Sequence, residues 1–559
     1  MSKLKKRFLL AMLCGLFFSF SPLFAQEAVK SIEEMYFNFL VLRGLAQRPY
    51  LNFRTMSDSV WDIDADMEHP WRSQRFGTFH PMFGDFRIRI YGPELFMSVN
   101  TTAPYGQNDG VLWQGRGFNT LFKSGIRIEG HGLELTLLPH VAFSQNAHFD
   151  IMPSHNNNEF GYFWGYGAPG SNRGGADAPQ RFGDQPFFDW DFGDSEIRYT
   201  WRTLTVGFGT QPIWLGPSYL HSILHSNNAP TYPRFDIGLR RQRVRLPWLG
   251  WDIGEIETRF WVGRLTQSDF FDNGDLHTHT MFHGRAFAYA PSFLPGLTLF
   301  FNHVTLVPWE WENLTHMIFS ATNEDDDDHK FSLGFSWLFP QVGFEVFGEL
   351  GIDDHTAGVE GLPWVFRRLM GYIRNPTRTM VFTVGTRKAI TISERHNVFG
   401  QFTFEWSHME MSKDFMFEWP YSFYFHHQII HGYTNRGQWL GNGFNPGGNA
   451  QYLEFRLFYP RGTSSFFIHR YNPDNNFIFH HAIWTTPADY DRLTFIKGFK
   501  ANFVVGVTTH HRLTDNLGIG GKLAYNLTLN PFYFHNKVRP GDEEFRHNFH
   551  VSMTIRYTF

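Results

Sequence analysis

The stretch Val551-Ser552-Met553-Thr554-Ile555-Arg556-Tyr557-Thr558-Phe559 alternates strictly: Val551, Met553, Ile555, Tyr557 and Phe559 share one face of an extended chain, and Ser552, Thr554, Arg556 and Thr558 share the other. A period of two belongs to a β-strand whose faces meet different surroundings. The pattern recurs upstream. Phe331, Leu333, Phe335 and Trp337 alternate with Ser332, Gly334 and Ser336. After a short turn containing Pro340, Val342, Phe344, Val346 and Leu350 alternate with Gly343, Glu345 and Glu349, which makes a hairpin with one apolar and one wet face. Phe402, Phe404 and Trp406 likewise oppose Gln401, Thr403 and Glu405, while Leu517, Ile519, Leu523, Tyr525, Leu527 and Leu529 oppose Gly518, Gly520, Lys522, Asn526 and Thr528.

Composition says what the apolar face meets. Mean hydropathy is −0.32, and after the first residues no run of about 18 apolar residues occurs, which excludes membrane helices. Yet aromatics make up 18% of the chain, with 63 Phe, 21 Tyr and 18 Trp, alongside 52 Gly. A transmembrane barrel needs an apolar outer band, aromatic girdles and a polar lumen; a large secreted β-sandwich or propeller is the soluble competitor. The last strand decides between them, because a terminal strand ending in Phe has the form read by outer-membrane assembly machinery. Charged residues on the inner face would cost about 2–4 kcal/mol each for a basic group at the lipid midplane, so their regular placement implies a wet lumen. The expected fold is all-β: a transmembrane antiparallel β-barrel of about 18 strands with a small N-terminal helical element. Arg87 to Asn100 reads as one long strand or as two short ones around Gly92-Pro93.

Residues 1–25 read as a signal peptide, with Lys3, Lys5, Lys6 and Arg7 before an apolar run from Phe8 to Phe20 and the small Ala25 after it. The single cysteine, Cys14, lies inside that leader in a poor lipoprotein context, so neither disulfides nor a lipid anchor are expected. Removing the leader's four basic residues from 49 leaves 45 against 53 acidic ones, a formal charge of −8 that argues against nucleic acid. Residues 26–84 form an N-terminal helix and periplasmic or plug segment. There Ser31 and Glu34 make a capping box, and Ile32, Met35, Tyr36, Phe39, Leu40 and Leu45 recur at helical spacing up to Gly44 and Pro49. Residues 85–559 form the barrel. A barrel of this size encloses water unless something fills it, and the helix and the segment from Gln145 to Asp194 are the candidate fillers.

No catalytic motif is present: there is no Gly-x-Ser-x-Gly elbow, His-Glu-x-x-His helix or Walker-type loop, and no enzyme activity or cofactor is expected. The acidic run Glu324 to Asp328 with His329 reads as a solvated loop, although its carboxylates could hold Ca²⁺ or bridge to lipopolysaccharide; no metal site is assigned to it or to the 28 His residues.

Four segments are more specific: Pro49 to Asp58, Pro104 to Asn119, Trp214 to Pro230, and Asn435 to Gly441. On these the chain resembles the capsule-assembly, Wzi-like family of outer-membrane proteins. The resemblance implies an 18-stranded barrel, filled rather than open, with a helical element at its periplasmic side, acting as a lectin that retains capsular polysaccharide. His221 and His225 depart from the family pattern in an otherwise small or aliphatic stretch, and the loop from Gln145 to Asp194 is long.

Sugars are held by aromatic faces and by Asn, Asp and Arg side chains that reach hydroxyls or uronic carboxylates. Trp113 with Arg116, Trp190 with Asp191 and Arg181, Trp439 with Arg436, and the pair Asn227 and Asn228 are therefore the candidate glycan ligands. Each also has a plain structural reading, in which Trp anchors at the membrane interface, Arg pairs across the lumen and the Asn pair makes a turn. The expected partners are surface polysaccharide, outer-membrane lipid and lipopolysaccharide-type glycolipid, and the barrel-assembly machinery during biogenesis. A substrate-specific porin is the competing function, and an adhesin presenting the long loop is a third.

Overall fold

The computed structural model describes residues 23–63, 68–74, 76–165, 176–246, 249–271, 279–315, 327–353, 363, 366, 370, 373–374, 379–412, 422–444, 446–478, 498–533 and 544–559. Most of the expected leader lies outside these residues, as do Glu324 to Asp326 of the acidic run and residues 166–175 of the long segment.

Among the described residues, 18 antiparallel strands close into a barrel. They are β1 (Arg87–Asn100), β2 (Gly117–Gly130), β3 (Leu133–Leu137 continued by His140–Ser144), β4 (Phe187–Asp191 continued by Glu196–Trp201), β5 (Leu204–Gly209) and β6 (Arg234–Arg245). Next come β7 (Asp252–Thr266), β8 (His279–Pro291), β9 (Leu297–Pro308), β10 (Asp328–Phe339), β11 (Phe344–Asp353) and β12 (Met380–Ser393). The last six are β13 (Val398–His408), β14 (Asn449–Tyr459), β15 (Gly462–Asn472), β16 (Ala501–Arg512), β17 (Leu517–Leu529) and β18 (Phe545–Tyr557). Each strand pairs with the next, and the seam closes where β18 meets β1, Met553 opposite Met97. β1 is a single strand whose register against β2 shifts between Tyr91 and Glu94, so the Gly92-Pro93 step bends it without dividing it.

The alternation read from the sequence sorts the side chains. Leu333, Phe402, Leu523 and Val551 leave 45–52% of their surface exposed on the outside, while Ser332, Glu345, Thr403 and Glu405 are fully buried within. An apolar band around the whole circumference requires lipid, and the backbone of a closed barrel needs no partner from it. Connections alternate in length. Turns such as 131–132, 202–203 and 460–461 are tight, whereas 101–116, 145–186, 210–233 and 409–448 are long. In membrane barrels of this type the short turns face the periplasm and the long loops the exterior.

The lumen is filled by the chain itself. Helix α1 (Ile32–Leu42) begins where the Ser31 hydroxyl accepts the Glu34 N–H at 3.2 Å, while the Glu34 carboxylate turns back to the Lys30 N–H at 2.6 Å, one residue earlier than a capping box requires. It ends at Gly44, whose φ of +73° lets the Leu45 N–H reach the Leu40 carbonyl. Tyr36 and Phe39 stack on Trp71 and on Phe458 of β14, at 4.0 and 4.3 Å between ring centroids, so the helix stoppers the short-turn end. Its polar side is buried too. Glu33 pairs with Arg556 of β18 at 2.6 Å and with Arg512 of β16 at 3.4 Å. Burial alone would raise this carboxyl, and the two guanidiniums more than offset that, holding it below its usual range.

Two further runs grip the wall through backbone amides. The N–H groups of Leu51, Asn52 and Phe53 all donate to the Glu257 carboxylate of β7, at 2.7, 3.0 and 2.6 Å. Those of Tyr219, Leu220 and His221, in the long loop between β5 and β6, donate to Glu405 of β13. The inserted runs also pair with each other, Arg54 and Trp214 exchanging both backbone hydrogen bonds at 3.2 and 2.8 Å. Trp214 to Pro230 is therefore a plug that crosses the lumen from the long-loop side. Of the expected fillers, α1 is thus joined in the lumen by a loop that the sequence did not mark as one.

Candidate functional site

Above the plug, on the long-loop side, lies a cavity of about 290 Å³. Asn228 of the 210–233 loop lines it, with the loops 101–116, 145–186, 409–448, 473–500 and 530–544 and the upper ends of β15 to β18. The 101–116 loop is folded inward by Asn100, whose amide donates to the carbonyls of Tyr105, Gln114 and Gly115 at 3.0–3.2 Å. Asn228 ties its loop to both neighbours: its Oδ1 accepts the Asn108 N–H at 3.0 Å and its Nδ2 donates to the Trp439 carbonyl at 3.0 Å. Gln438 closes the ring by donating to the Gly110 carbonyl at 2.9 Å.

The lining mixes ring faces with polar groups. Tyr105, Trp113, Trp439, Tyr471 and Phe532 provide aromatic surface, and Asp109, Gln114, Asn502, Asn526 and Arg546 stand among them. Three buried polar atoms of this lining, Trp113 Nε1, Asn526 Oδ1 and Tyr533 Oη, have no hydrogen-bond partner in the protein. Donors and acceptors left so would each cost about 1–3 kcal/mol unless something polar meets them. Burial pushes the Asp109 carboxyl up to about 6, although Gln114 donates to it at 2.8 Å and Lys522 lies nearby. Lys522 sits 4.6 Å from the Tyr105 ring centroid, so the cavity wall carries a cation behind an aromatic face.

Of the residues singled out in the sequence, Trp113, Asn228 and Trp439 line this cavity. Arg116 stands beside it and donates to the carbonyls of Thr101 and His148, bracing two loops. Asn227 contributes its carbonyl to Gly110 at 3.0 Å. Arg181 is buried between Phe149 and Phe160 and bound to Asp184 at 2.6 Å. The grouping of Trp190 with Asp191 and Arg181 is not formed. Successive residues of β4 point to opposite faces, so Trp190 is 58% exposed on the outside beside Phe192, whereas Asp191 is inside, accepting the N–H groups of Gly193 and Thr231. Arg436 does not accompany Trp439 either; it pairs with Asp189 and the Trp190 carbonyl, while Trp439 packs inward on Tyr162 and Phe425. Tyr105, Asp109 and Gln114 lay within a quoted segment without being singled out, and Asn526 was read only as inward-facing. Tyr471, Asn502 and Arg546 had no local signal beyond strand register.

Residues 150–376 match the family model described as capsule assembly protein Wzi, which bears out the resemblance over that part of the chain. No curated protein matches the chain. Among solved structures, Wzi of Escherichia coli aligns with a TM-score of 0.50 and 12% identity, covering 85% of this chain and 84% of that one. It is described as an outer-membrane protein involved in group 1 capsule assembly and as a carbohydrate-binding β-barrel. OccAB2 of Acinetobacter baumannii (TM-score 0.39, 10% identity, 84% and 98% covered) and OccK2 of Pseudomonas aeruginosa (0.38, 8%, 85% and 97%) align less well. The first likeness supports the same barrel architecture.

Proposed function

We propose that this chain is an integral outer-membrane lectin that holds capsule-type polysaccharide at its long-loop end, without turning it over. The carrying observation is the cavity over the plug, whose lining joins the ring surfaces of Tyr105, Trp113, Trp439 and Phe532 to the polar side chains of Asp109, Gln114, Asn502 and Asn526. The match to the capsule-assembly family model and the carbohydrate binding of the E. coli barrel support the same reading. A lumen crossed by α1, the 49–58 run and the Trp214 to Pro230 plug favours retention at the surface over diffusion through it. Each cavity engages a short stretch of glycan, and many barrels on one cell surface hold a long polymer by multivalency. The outer band is bathed in lipid and lipopolysaccharide-type glycolipid, and strand β18 is the segment offered to the assembly machinery.

Cell-surface polysaccharides immobilised on an array test the reading directly. Trp113→Ala and Asn526→Leu, in protein refolded into detergent, are expected to lower retention of the bound glycan by about tenfold each, since stacking and a buried hydrogen bond contribute about 1 kcal/mol or more apiece. Undiminished retention in both variants would refute the assignment of the cavity.

A further inference from the structure

A second cavity, of about 370 Å³, opens at the opposite, short-turn end between the plug and the wall. Its plug side carries Lys30, Asn38, Tyr50 and Arg54, and its wall side includes Arg387 and Gln401. The charges around it do not balance. Glu345 is shared by Arg48 at 2.6 Å and Arg387 at 2.8 Å, and Glu34 stands between Arg54, at 3.3 Å, and Lys30. The other lining arginines, Arg241, Arg243 and Arg456, are matched one to one by Glu255, Asp252 and Glu454, and Glu405 nearby is shared by three backbone amides and His221. Four cations thus face two carboxylates free to answer them.

Among these cations Arg54 is the one with polar atoms left unmatched by the protein. It is 91% buried, packed over Trp214, and its Nη1 serves Tyr50 and Glu34, but its Nε and Nη2 have no partner in the protein. Those two nitrogens form the edge of the guanidinium that grips a carboxylate through two parallel bonds. Burial and the neighbouring Arg54 charge push the Lys30 ammonium down to about 7, against Glu34 and Glu405, which act to raise it. The volume is far larger than an inorganic anion needs and falls in the range of small-molecule sites, about 300–1,000 Å³. Asn38, Gln401, Tyr50 and Tyr219 supply amides and ring faces of the kind that take hydroxyls and sugar rings.

We propose that the short-turn cavity is a binding site for an anionic saccharide, whose carboxylate is taken by the Nε–Nη2 edge of Arg54 and whose hydroxyls meet Asn38, Tyr50 and Gln401. The site faces the other side of the membrane from the long-loop cavity and shares none of its lining.

The test is calorimetric titration of the full-length barrel in detergent with D-glucuronate, with glucose and inorganic sulfate as comparisons. Glucuronate is expected to saturate one site that glucose does not fill. Arg54→Gln is expected to weaken it at least tenfold. Gln401→Trp, which fills the cavity from the wall and leaves every charge in place, is expected to abolish it, so the outcome does not depend on the Arg54 variant seating its plug. Trp113→Ala leaves glucuronate binding unchanged; loss of array retention with this binding intact would defeat the long-loop reading alone. Glucuronate binding that persists in both cavity variants, or glucose binding of equal strength, overturns the proposal. Sulfate binding as tightly as glucuronate overturns the saccharide assignment.

Discussion

Replacing Glu257 by Gln tests whether one wall side chain anchors the 49–58 run. The carboxylate accepts three consecutive amides, Oε1 from Asn52 and Phe53 and Oε2 from Leu51. Hydrogen bonds to a charged group contribute about 1.5–3 kcal/mol and neutral ones about 0.5–1.5 kcal/mol. In the variant the amide oxygen keeps Asn52 and Phe53, each weakened by about 1 kcal/mol, and the NH₂ group confronts the Leu51 N–H, which loses its bond. The gross loss is about 3–5 kcal/mol, and sparing a buried charge its desolvation offsets part of it, leaving about 2–3 kcal/mol. At 1.4 kcal/mol per tenfold, opening of this run should rise roughly 30- to 150-fold. Amide hydrogen exchange read by mass spectrometry on the refolded barrel reports it: peptides holding Leu51 to Phe53 should lose protection by that factor, while peptides from β14 to β17 keep theirs. Glu405→Gln should do the same to Tyr219–His221. Protection of residues 51–53 within threefold of the parent would refute the anchoring argument, whatever the variant did to global stability.

Deleting residues 26–63 removes α1 and the run that pairs with Trp214, so single-channel conductance in a planar bilayer should rise from a closed baseline; a steadily conducting parent protein would instead favour a porin. Arg556→Met leaves Glu33 with Arg512 at 3.4 Å and Glu27 with Arg89 at 2.6 Å, and should cost about 3–5 kcal/mol in denaturant unfolding, part of which Arg556→Met combined with Glu33→Gln restores. Asp109 has a folded value raised to about 6, so its contribution to stability is complete below about 4 and is lost as pH rises through 6. Asp109→Asn should therefore stabilise the barrel at pH 7.5 by about 1 kcal/mol, discounted for partial exposure, and have little effect at pH 4, as thermal unfolding at the two pH values would show.

The barrel was legible because its rule is local: each strand announces its two faces by alternation, and Ser31 with Glu34 announces the helix start. The same rule, applied within Phe187–Asp191, separates Trp190 from Asp191, so that correction needed no structure, only the period already in use. Other features are not written locally. Glu34 reads only as a capping residue and Glu33 carries no mark at all; the arginines that bury Glu33, Arg512 and Arg556, stand hundreds of residues away. The grips of Glu257 and Glu405 fall on backbone amides, which every residue but proline carries, so no side-chain pattern marks them. The cavity draws on six loops and four strands, and while Trp113 and Trp439 stand out by type, Asn502 and Asn526 become its neighbours only through closure.

Arg556 and Glu33 meet across 523 positions of sequence. Closing a loop of that length costs about 5–6 kcal/mol of chain entropy by the (3/2)RT ln n relation, so an isolated ion pair could not hold it shut in an unfolded chain. The folded barrel supplies the closure instead, by holding β18 between β17 and β1. Arg556 also reaches Glu94 of β1 at 3.8 Å, so one side chain ties the stopper to both strands of the seam. The arginine on the final strand thus fastens plug to wall as well as wall to wall, and its loss would loosen both joints at once.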